Sequence, residues 1–398
     1  MPAVECCVQL IHSILCTVLW TKYLVTQPCR HVNRLHPMQV CRCRRPPHPV
    51  TFRRSSSTRC GSGPHLHSYA VARLQVRHGL MEAACERRIP MPNWCSNRMH
   101  FSGEPAQIAE IKRLASGAVT PFYRRATNEG IQLFLAGSAG LLQTTEDVWF
   151  EPCPGLTAAG RGVVSPENIA FTRWLTHLQN GVLLDEQNCL MLHELWLQSG
   201  TGQRRWEGLP DDVRDTITAL FTAKRGDWCG FWSNEDVSVW WNRLCDNVLP
   251  EKTMPFDLLT VLPTRLDVEV NGFNGGVLNG VPSAYHWYTE QYGVKWPCGY
   301  DLNISSQGDN FIQVDFDTPW CQPESDVIAE LSRRFSCTLE HWYAEQGCDF
   351  CGWQLYERGE LVDVLWGELE WSSPTDDDEL PEVTGPAWIV DKVAHYGG

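Results

Sequence analysis

The sequence predicts an α+β fold: a ferredoxin-like antiparallel sheet with helices on one face, interrupted by a mostly helical insertion. Two observations predict it. A strand-then-helix pattern opens the chain after residue 90, and a strand–strand–helix–strand pattern closes it. Between them, residues 130–250 carry apolar side chains at the spacing of helices. Residues 91–129 and 251–372 are therefore interpreted as the two parts of one sheet domain.

The first element of the sheet domain is a short strand. Polar and apolar residues alternate over 98–101, which places Met99 and Phe101 on its inner face. A turn then leads to a helix with Pro105 in its first turn, where a missing N–H costs nothing. Ile108 and Ile111 begin the apolar stripe of that helix.

Four helices are predicted within the insertion. Ser165, Asp185 and Pro210 mark the starts of three of them, and Ser233 with Asp236 resembles a capping box at the start of the fourth. Their apolar stripes are Phe171, Trp174, Leu175 and Leu178; Cys189, Leu192 and Trp196; Val213, Ile217, Leu220 and Phe221; and Val237, Trp240, Trp241 and Leu244.

Strands are predicted again after residue 250. The apolar run 258–262 is interpreted as a buried strand, and residues 311–317 alternate so that Asp315 and Asp317 share one face. A helix follows near Pro323, and two more strands cover 337–344 and 353–357. Residues 373–398 contain a run of acids and are predicted to form an acidic mobile tail.

Residues 1–90 differ from the rest in charge. They hold 13 Lys and Arg against 3 Asp and Glu, whereas the remainder holds 20 against 44, a net charge of −24. They also lack a periodic apolar pattern. We interpret them as non-native upstream sequence or a disordered segment, with Met91 as the favoured start, so their deletion is expected to leave stability unchanged.

Two other interpretations of residues 1–90 stay open. A secretory signal needs a basic region ahead of its apolar core, but Glu5 comes first here. A zinc site is the second interpretation, although its residues fit no paired ligand spacing. Its candidate ligands are Cys41, Cys43, Cys60, His65 and His67. No run of 18 apolar residues occurs, so the chain is predicted to be cytoplasmic, without membrane contact, and its last ten Cys reduced.

Three separated motifs follow residue 90. They are MPNWCSN at 91–97, YGVKWP at 292–297, and FDTPW at 316–320 followed by YAEQG at 343–347 and FCG at 350–352. These motifs resemble those of the YubB-type family of plasmid- and phage-borne bacterial proteins. IQLFLAG at 131–137 also resembles the family's helical middle region. The resemblance covers about residues 91–370. It implies a ferredoxin-like domain with a helical insertion, a usual start at Met91, an unknown function and no catalytic residues.

No catalytic motif is complete. Cys348 and Cys351 have no second pair, and neither His193-Glu194 nor His341…Glu345 completes a H-E-x-x-H zinc motif. Neither a catalytic residue nor a cofactor is therefore predicted. The alternative is a Mg²⁺ site at Asp315 and Asp317 in a metal-dependent phosphoryl-transfer or phosphodiesterase-type enzyme.

Aromatic residues at turns are the main candidates for binding. Such residues either pin a loop to the core or form a recognition surface, and packing is the more common outcome. Trp320 lies between Pro319 and Pro323, which restrict the backbone, so burial is predicted for it. The candidate binding residues are Trp94, Asn97, Tyr292, Trp296, Trp320, Tyr343 and Glu345.

The net charge narrows the class of partner. Contacts to DNA phosphates need a basic surface, so a charge of −24 argues against direct DNA binding. The leading hypothesis is a non-enzymatic, mobile-element-encoded protein that binds a macromolecule, its partner an unknown host or plasmid-encoded protein.

Overall fold

The computed structural model describes residues 93–230, 233–246, 252–373 and 381–397. The interpretations of residues 1–90 and the start at Met91 lie outside these ranges. Six antiparallel strands form one sheet, in the order β2-β3-β1-β4-β5-β6. The strands are β1 (Trp94–Ser102), β2 (Tyr300–Gln307), β3 (Phe311–Pro319), β4 (Thr338–Glu345), β5 (Phe350–Glu357) and β6 (Glu360–Gly367), and a separate pair consists of β7 (Glu370–Trp371) and β8 (Val383–Gly385).

Nine α-helices lie in the described ranges. They are α1 (Pro105–Ala115), α2 (Phe122–Ser138), α3 (Pro166–Gln179), α4 (Glu186–Gln198), α5 (Asp211–Cys229), α6 (Val237–Cys245), α7 (Leu266–Asn271), α8 (Ala284–Gln291) and α9 (Ser325–Arg334). The predicted caps Ser165 and Asp185 form, since each side chain accepts a hydrogen bond from a first-turn backbone N–H. In the fourth helix the cap is Asp236, three residues after the Ser233 of the predicted capping box. None of these described helices has both the length and the apolar character needed to cross a membrane.

β1 is the centre of the sheet. It pairs with β3 on one side, where Met99 lies opposite Val314, and with β4 on the other, where Met99 lies opposite His341. The first four strands therefore have the order β2-β3-β1-β4 that a ferredoxin-like fold requires. β5 and β6 extend this sheet as two further antiparallel strands. The predicted α+β class and ferredoxin-like arrangement are confirmed.

The two faces of the sheet have different covers. Met99 and Phe101 are completely buried on the face that α1 and α9 pack against, as predicted. The other face is covered by residues 381–397, whose Ile389 and Val393 join Ala344 in a small apolar cluster. Residues 381–397 are thus packed on the sheet, whereas the acidic run 374–380, on which the prediction of a mobile tail depended, lies outside the described ranges. The run of acids dominated the sequence pattern and obscured the apolar residues that follow it.

The apolar residues of the helical insertion share one core with those of the sheet. Trp174, Trp196, Trp240 and Trp241 are all buried, in agreement with the predicted stripes. The predicted strand at 258–262 was wrong, because Leu258–Thr260 forms a single turn of 3₁₀ helix. The side chain of Asp257 caps this turn by accepting a hydrogen bond from the backbone N–H of Leu259.

Candidate functional site

Several aromatic side chains meet where β1 begins and β3 ends. The rings of Trp94 and Tyr300 are 4.9 Å apart between centroids, and those of Trp296 and Tyr300 are 6.0 Å apart. Lys295 and Trp320 complete the group, which we call the aromatic patch (Trp94, Lys295, Trp296, Tyr300 and Trp320). Three of the seven predicted binding residues, all of them tryptophans, are therefore together.

Lys295 lies between two indole rings. Its Nζ is 4.2 Å from the centroid of the Trp296 ring and 4.3 Å from that of Trp320. Both distances are typical of cation–π contacts. Partial burial lowers the pKa of its ammonium. Among the described residues no carboxylate forms an ion pair with it, so the charge is held by aromatic rings alone.

Trp320 has a backbone conformation that large side chains avoid. Its φ is +78°, in the left-handed region, and its side chain is 42 % exposed. Its backbone N–H donates to the carbonyl oxygen of Asn93 at 2.8 Å, which holds the turn in place. The prediction of burial was therefore wrong. The flanking prolines do restrict the turn, but the turn they restrict leaves the indole at the surface.

The two loops that carry the patch are tied to each other. The hydroxyl of Thr318 donates to the carbonyl of Cys321 at 2.7 Å, and the Cys321 thiol donates to the carbonyl of Gly293 at 2.8 Å. The backbone N–H of Glu324 donates to the carbonyl of Tyr292 at 2.9 Å. These bonds make the patch a fixed surface.

Asn97 lies in the interior beside the patch. Its amide nitrogen donates to the carbonyl of Cys95 and to the hydroxyl of Thr318, each at 2.8 Å. Its Oδ1 is an acceptor only, so Nε2 of His341, 3.0 Å away, carries the proton. Burial lowers the pKa of His341 to about 3, and its Nδ1 has no hydrogen-bond partner. We call Asn97, Thr318 and His341 the buried polar group.

The remaining candidate residues are also internal. The hydroxyl of Tyr292 donates to the carbonyl of Leu262 at 2.6 Å, and the carboxylate of Glu345 accepts the backbone N–H groups of residues 347 and 348. Tyr343 packs over Gly352, where a Cβ would come within 2.1 Å of its ring. Asn97, Tyr292, Tyr343 and Glu345 are therefore all buried, and their role as contact residues stays a prediction.

Asp315 and Asp317 share a face of the sheet, as predicted, and each has a basic side chain as its partner. Arg98 binds both carboxylate oxygens of Asp315, at 2.5 and 3.2 Å. His395 Nε2 is 3.0 Å from Asp317 Oδ1, and this hydrogen bond raises the pKa of His395. Within the described ranges no three His, Cys, Asp or Glu side chains converge as metal ligands. Asp315 is therefore paired with Arg98 within the sheet, and Asp317 is hydrogen-bonded to His395 of the C-terminal segment.

A cavity in the helical part was missed by the sequence interpretation. Its volume is about 280 Å³. One wall contains Glu269, whose Oε1 accepts hydrogen bonds from Tyr288 at 2.6 Å and Thr264 at 2.8 Å. No motif could have indicated it, because its lining comes from separate helices. The lining residues are Tyr123, Arg124, Thr127, Asn128, Trp228, Cys229, Glu235, Trp240, Arg243 and Glu269.

Comparison with known proteins gives two matching family models. Residues 120–296 match a protein of unknown function (DUF1281), and residues 299–383 match the ferredoxin-like domain in Api92-like protein. Two uncharacterised proteins of Escherichia coli K12 are each similar to part of the chain. YubA is 93% identical over 162 residues, which are 41% of this chain and 96% of YubA; YubB is 94% identical over 145 residues, which are 36% of this chain and all of YubB.

A solved structure also matches. The crystal structure of api92 from Yersinia pseudotuberculosis, assigned to DUF1281, is 33% identical in sequence. The match covers 71% of this chain and all of that one, with a TM-score of 0.66. The matched structure thus has the same arrangement of sheet and helices. The chain belongs to the DUF1281 family of Api92-like proteins and contains the ferredoxin-like C-terminal domain of that family.

Proposed function

We propose that this chain is a non-enzymatic protein that binds a macromolecular partner on the aromatic patch. The observation that carries the proposal is Trp320, which is bulky, partly exposed and in a left-handed conformation. Such a conformation costs about 1–3 kcal/mol and persists where the surroundings enforce it, commonly at functional sites. A glycine at this position would avoid the cost, so the indole itself must be what the turn presents.

The composition of the patch supports a protein partner. Tryptophans dominate the binding energy of many protein interfaces, and the ordered aromatic rings here lose little conformational entropy on binding. Lys295 adds one cationic donor near Trp296 and Trp320, where a partner's carboxylate or backbone carbonyl can accept. The acidic charge of residues 91–398 disfavours nucleic acid. The proposed partner is therefore a host or plasmid-encoded protein. In this proposal the chain itself is encoded by a mobile element and binds its partner in the cytoplasm.

The alternative, a metal-dependent phosphoryl-transfer or phosphodiesterase-type enzyme, has weaker support. It requires Asp315 and Asp317 to leave their partners Arg98 and His395. Titration with Mg²⁺ or Mn²⁺ tests it directly. Metal binding by the wild type that disappears in Asp317→Asn would favour the enzyme, whereas no response to either ion would remove it.

Quantitative affinity capture from the bacterial host tests the patch. The bait is the full chain, compared with the double variant Trp296→Ala/Trp320→Ala. Trp149→Ala is the matched control, because Trp149 is exposed and lies outside the patch. We expect the wild type and the control to capture the same protein and the double variant to lose it at least tenfold. Equal capture by all three chains would contradict the proposal.

A further inference from the structure

β6 is an apolar strand whose side chains stay largely exposed, although α9 contacts part of it. All but the last of its eight residues are exposed, and its five apolar side chains keep between 42 and 68 % of their surface accessible. Natural sheets rarely leave a long apolar edge of this kind, because it is a template for another strand. Those five residues are Leu361, Val362, Val364, Leu365 and Trp366.

The outer edge of β6 has backbone groups available for pairing. Its other edge pairs with β5 over its whole length, and no described strand lies beyond it. The backbone N–H of Val364 donates to the side chain of Asp363 at 2.8 Å. That N–H is therefore outside the β5–β6 ladder, since donors in an antiparallel strand point alternately to its two sides. Among the described residues, the acceptor of the Val364 N–H is the side chain of Asp363.

The charge around β6 selects the kind of strand that fits. Residues 349–373 contain six acids and a single basic residue, Arg358. The acids are Asp349, Glu357, Glu360, Asp363, Glu368 and Glu370. A second copy of this chain would bring the same negative charges together, and like charges across a strand pair are destabilising. A positively charged strand would instead be attracted to these acids, since opposite charges across a strand pair are stabilising.

We propose that β6 accepts an extended Lys- or Arg-rich segment of a partner protein as a seventh strand of the sheet. Backbone hydrogen bonds supply the affinity in this mode of recognition, and alternate side chains supply the specificity. Val364 and Trp366 offer apolar contacts on one face and Leu365 on the other. Glu360 and Asp363 pair with the basic residues. The aromatic patch includes Tyr300 of β2, at the opposite edge of the sheet, so the two surfaces are separate.

The test uses the full chain and the synthetic peptide acetyl-(Lys-Val)₄-amide. Calorimetry measures binding, and hydrogen–deuterium exchange follows the amides of residues 360–367. We expect the peptide to bind and to slow exchange at Val364 and Trp366 at least tenfold. Two control peptides separate the causes: (Glu-Val)₄ has the wrong charge, and (Lys-Val)₄ N-methylated at alternate residues cannot form the ladder. Binding of either control as tight as that of (Lys-Val)₄ would overturn the proposal, as would no binding of (Lys-Val)₄ itself.

Two variants of the chain complete the test. Val364→Pro removes an N–H that β5 does not use, so it should leave the thermal midpoint unchanged and abolish peptide binding. Glu360→Lys/Asp363→Lys keeps the strand and should transfer the preference to (Glu-Val)₄. If the wild type dimerises with increasing concentration and Val364→Pro does not, the occupant is a second copy and the proposal is wrong. Each of these results is independent of the aromatic patch.

Discussion

The buried polar group and the aromatic patch lie side by side in the fold, yet they differ in almost every physical respect. Thr318 belongs to the first and Trp320, two residues later, to the second. In the interior, the polar atoms of Asn97 are all hydrogen-bonded and nothing is offered to solvent. At the surface, Lys295 contacts the rings of Trp296 and Trp320 through cation–π interactions and not through hydrogen bonds.

The comparison shows that one sequence motif can contain residues with opposite roles. Residues 94–97 place Trp94 in the patch and Asn97 in the interior, because successive side chains of a strand point to opposite faces and the strand begins at the rim of the sheet. Conservation of such a motif would not by itself distinguish a residue that contacts a partner from one that stabilises the interior. Stability measurements do distinguish them, because substitution of an internal residue lowers the free energy of unfolding more than substitution of a surface residue does.

The largest effect is expected for Asn97→Leu. The change keeps the volume but leaves His341 Nε2 without its partner and removes the amide donor to the Cys95 carbonyl and to the Thr318 hydroxyl, which keeps its bond to Cys321. Each buried polar group left without a partner costs about 1–3 kcal/mol, so we expect a loss of about 3–5 kcal/mol in the free energy of unfolding. Urea denaturation measures it. Asn303→Leu, on an exposed position of β2, is the control and should change stability by less than about 0.5 kcal/mol.

The buried polar group should also make stability fall in acid. The pKa of His341 is about 3 in the folded chain against an ordinary value of 6.5, so below pH 6.5 the unfolded chain binds a proton that the folded chain does not. The free energy of unfolding then falls by about 1.4 kcal/mol per pH unit between about pH 6 and pH 3. Urea titrations of the wild type and His341→Gln across this range isolate the effect. Parallel curves for the two chains would show that His341 does not titrate on unfolding.

A smaller effect is expected at Trp320, where the order of two variants matters. Both Trp320→Ala and Trp320→Gly remove the exposed indole, but only glycine relieves the left-handed backbone. We expect the glycine variant to be about 1 kcal/mol more stable than the alanine variant by urea denaturation. Equal stabilities would mean that the turn relaxes when the indole is lost, and the argument for an enforced conformation would fail.

The smallest effect is expected for Lys295→Met. The methionine keeps the length of the side chain between the two indoles and removes the charge. The lost cation–π attraction, about 0.5–1 kcal/mol, is offset by the relief of the burial that lowers the lysine's pKa. The thermal midpoint should therefore move by no more than about 2 °C for a chain of this size. A drop as large as that of Asn97→Leu would place Lys295 with the internal residues.

The sequence was sufficient for the helices of the insertion and for the strands around Met99 and Val314, but it placed a strand at 258–262, where a 3₁₀ turn forms, and gave none at 360–367, where β6 lies. Helix caps, apolar stripes and the alternation around Val314 depend on local spacing, which a single sequence contains. The exposure of Trp320 was not predictable, because it depends on a hydrogen bond from its backbone N–H to Asn93, which is distant in sequence. Asn97 and His341 are polar, and nothing in their local spacing indicated that each would be the partner of the other in the interior.

The same limit applies to the last part of the chain. Ile389 and Val393 have the spacing of one helical turn, but the acidic run before them suggested solvent. What buries them is the second face of the sheet, and a strand pattern does not show which segment will cover it. The cavity beside Glu269 has the same origin, since its walls come from helices that are adjacent only after folding.

The central position of β1 sets the order of events during synthesis. Asn97 can form its side-chain hydrogen bonds only after Thr318, 221 residues later, and His341, 244 residues later, have been synthesised. At about 5–20 residues per second, a ribosome needs roughly 10–40 seconds to make the first of these partners. Throughout that interval both edges of β1 are unpaired, while the helices of the insertion depend mostly on local contacts and form first. A nick anywhere between β1 and β2 would leave two pieces, neither of which contains the middle of the sheet together with its neighbours.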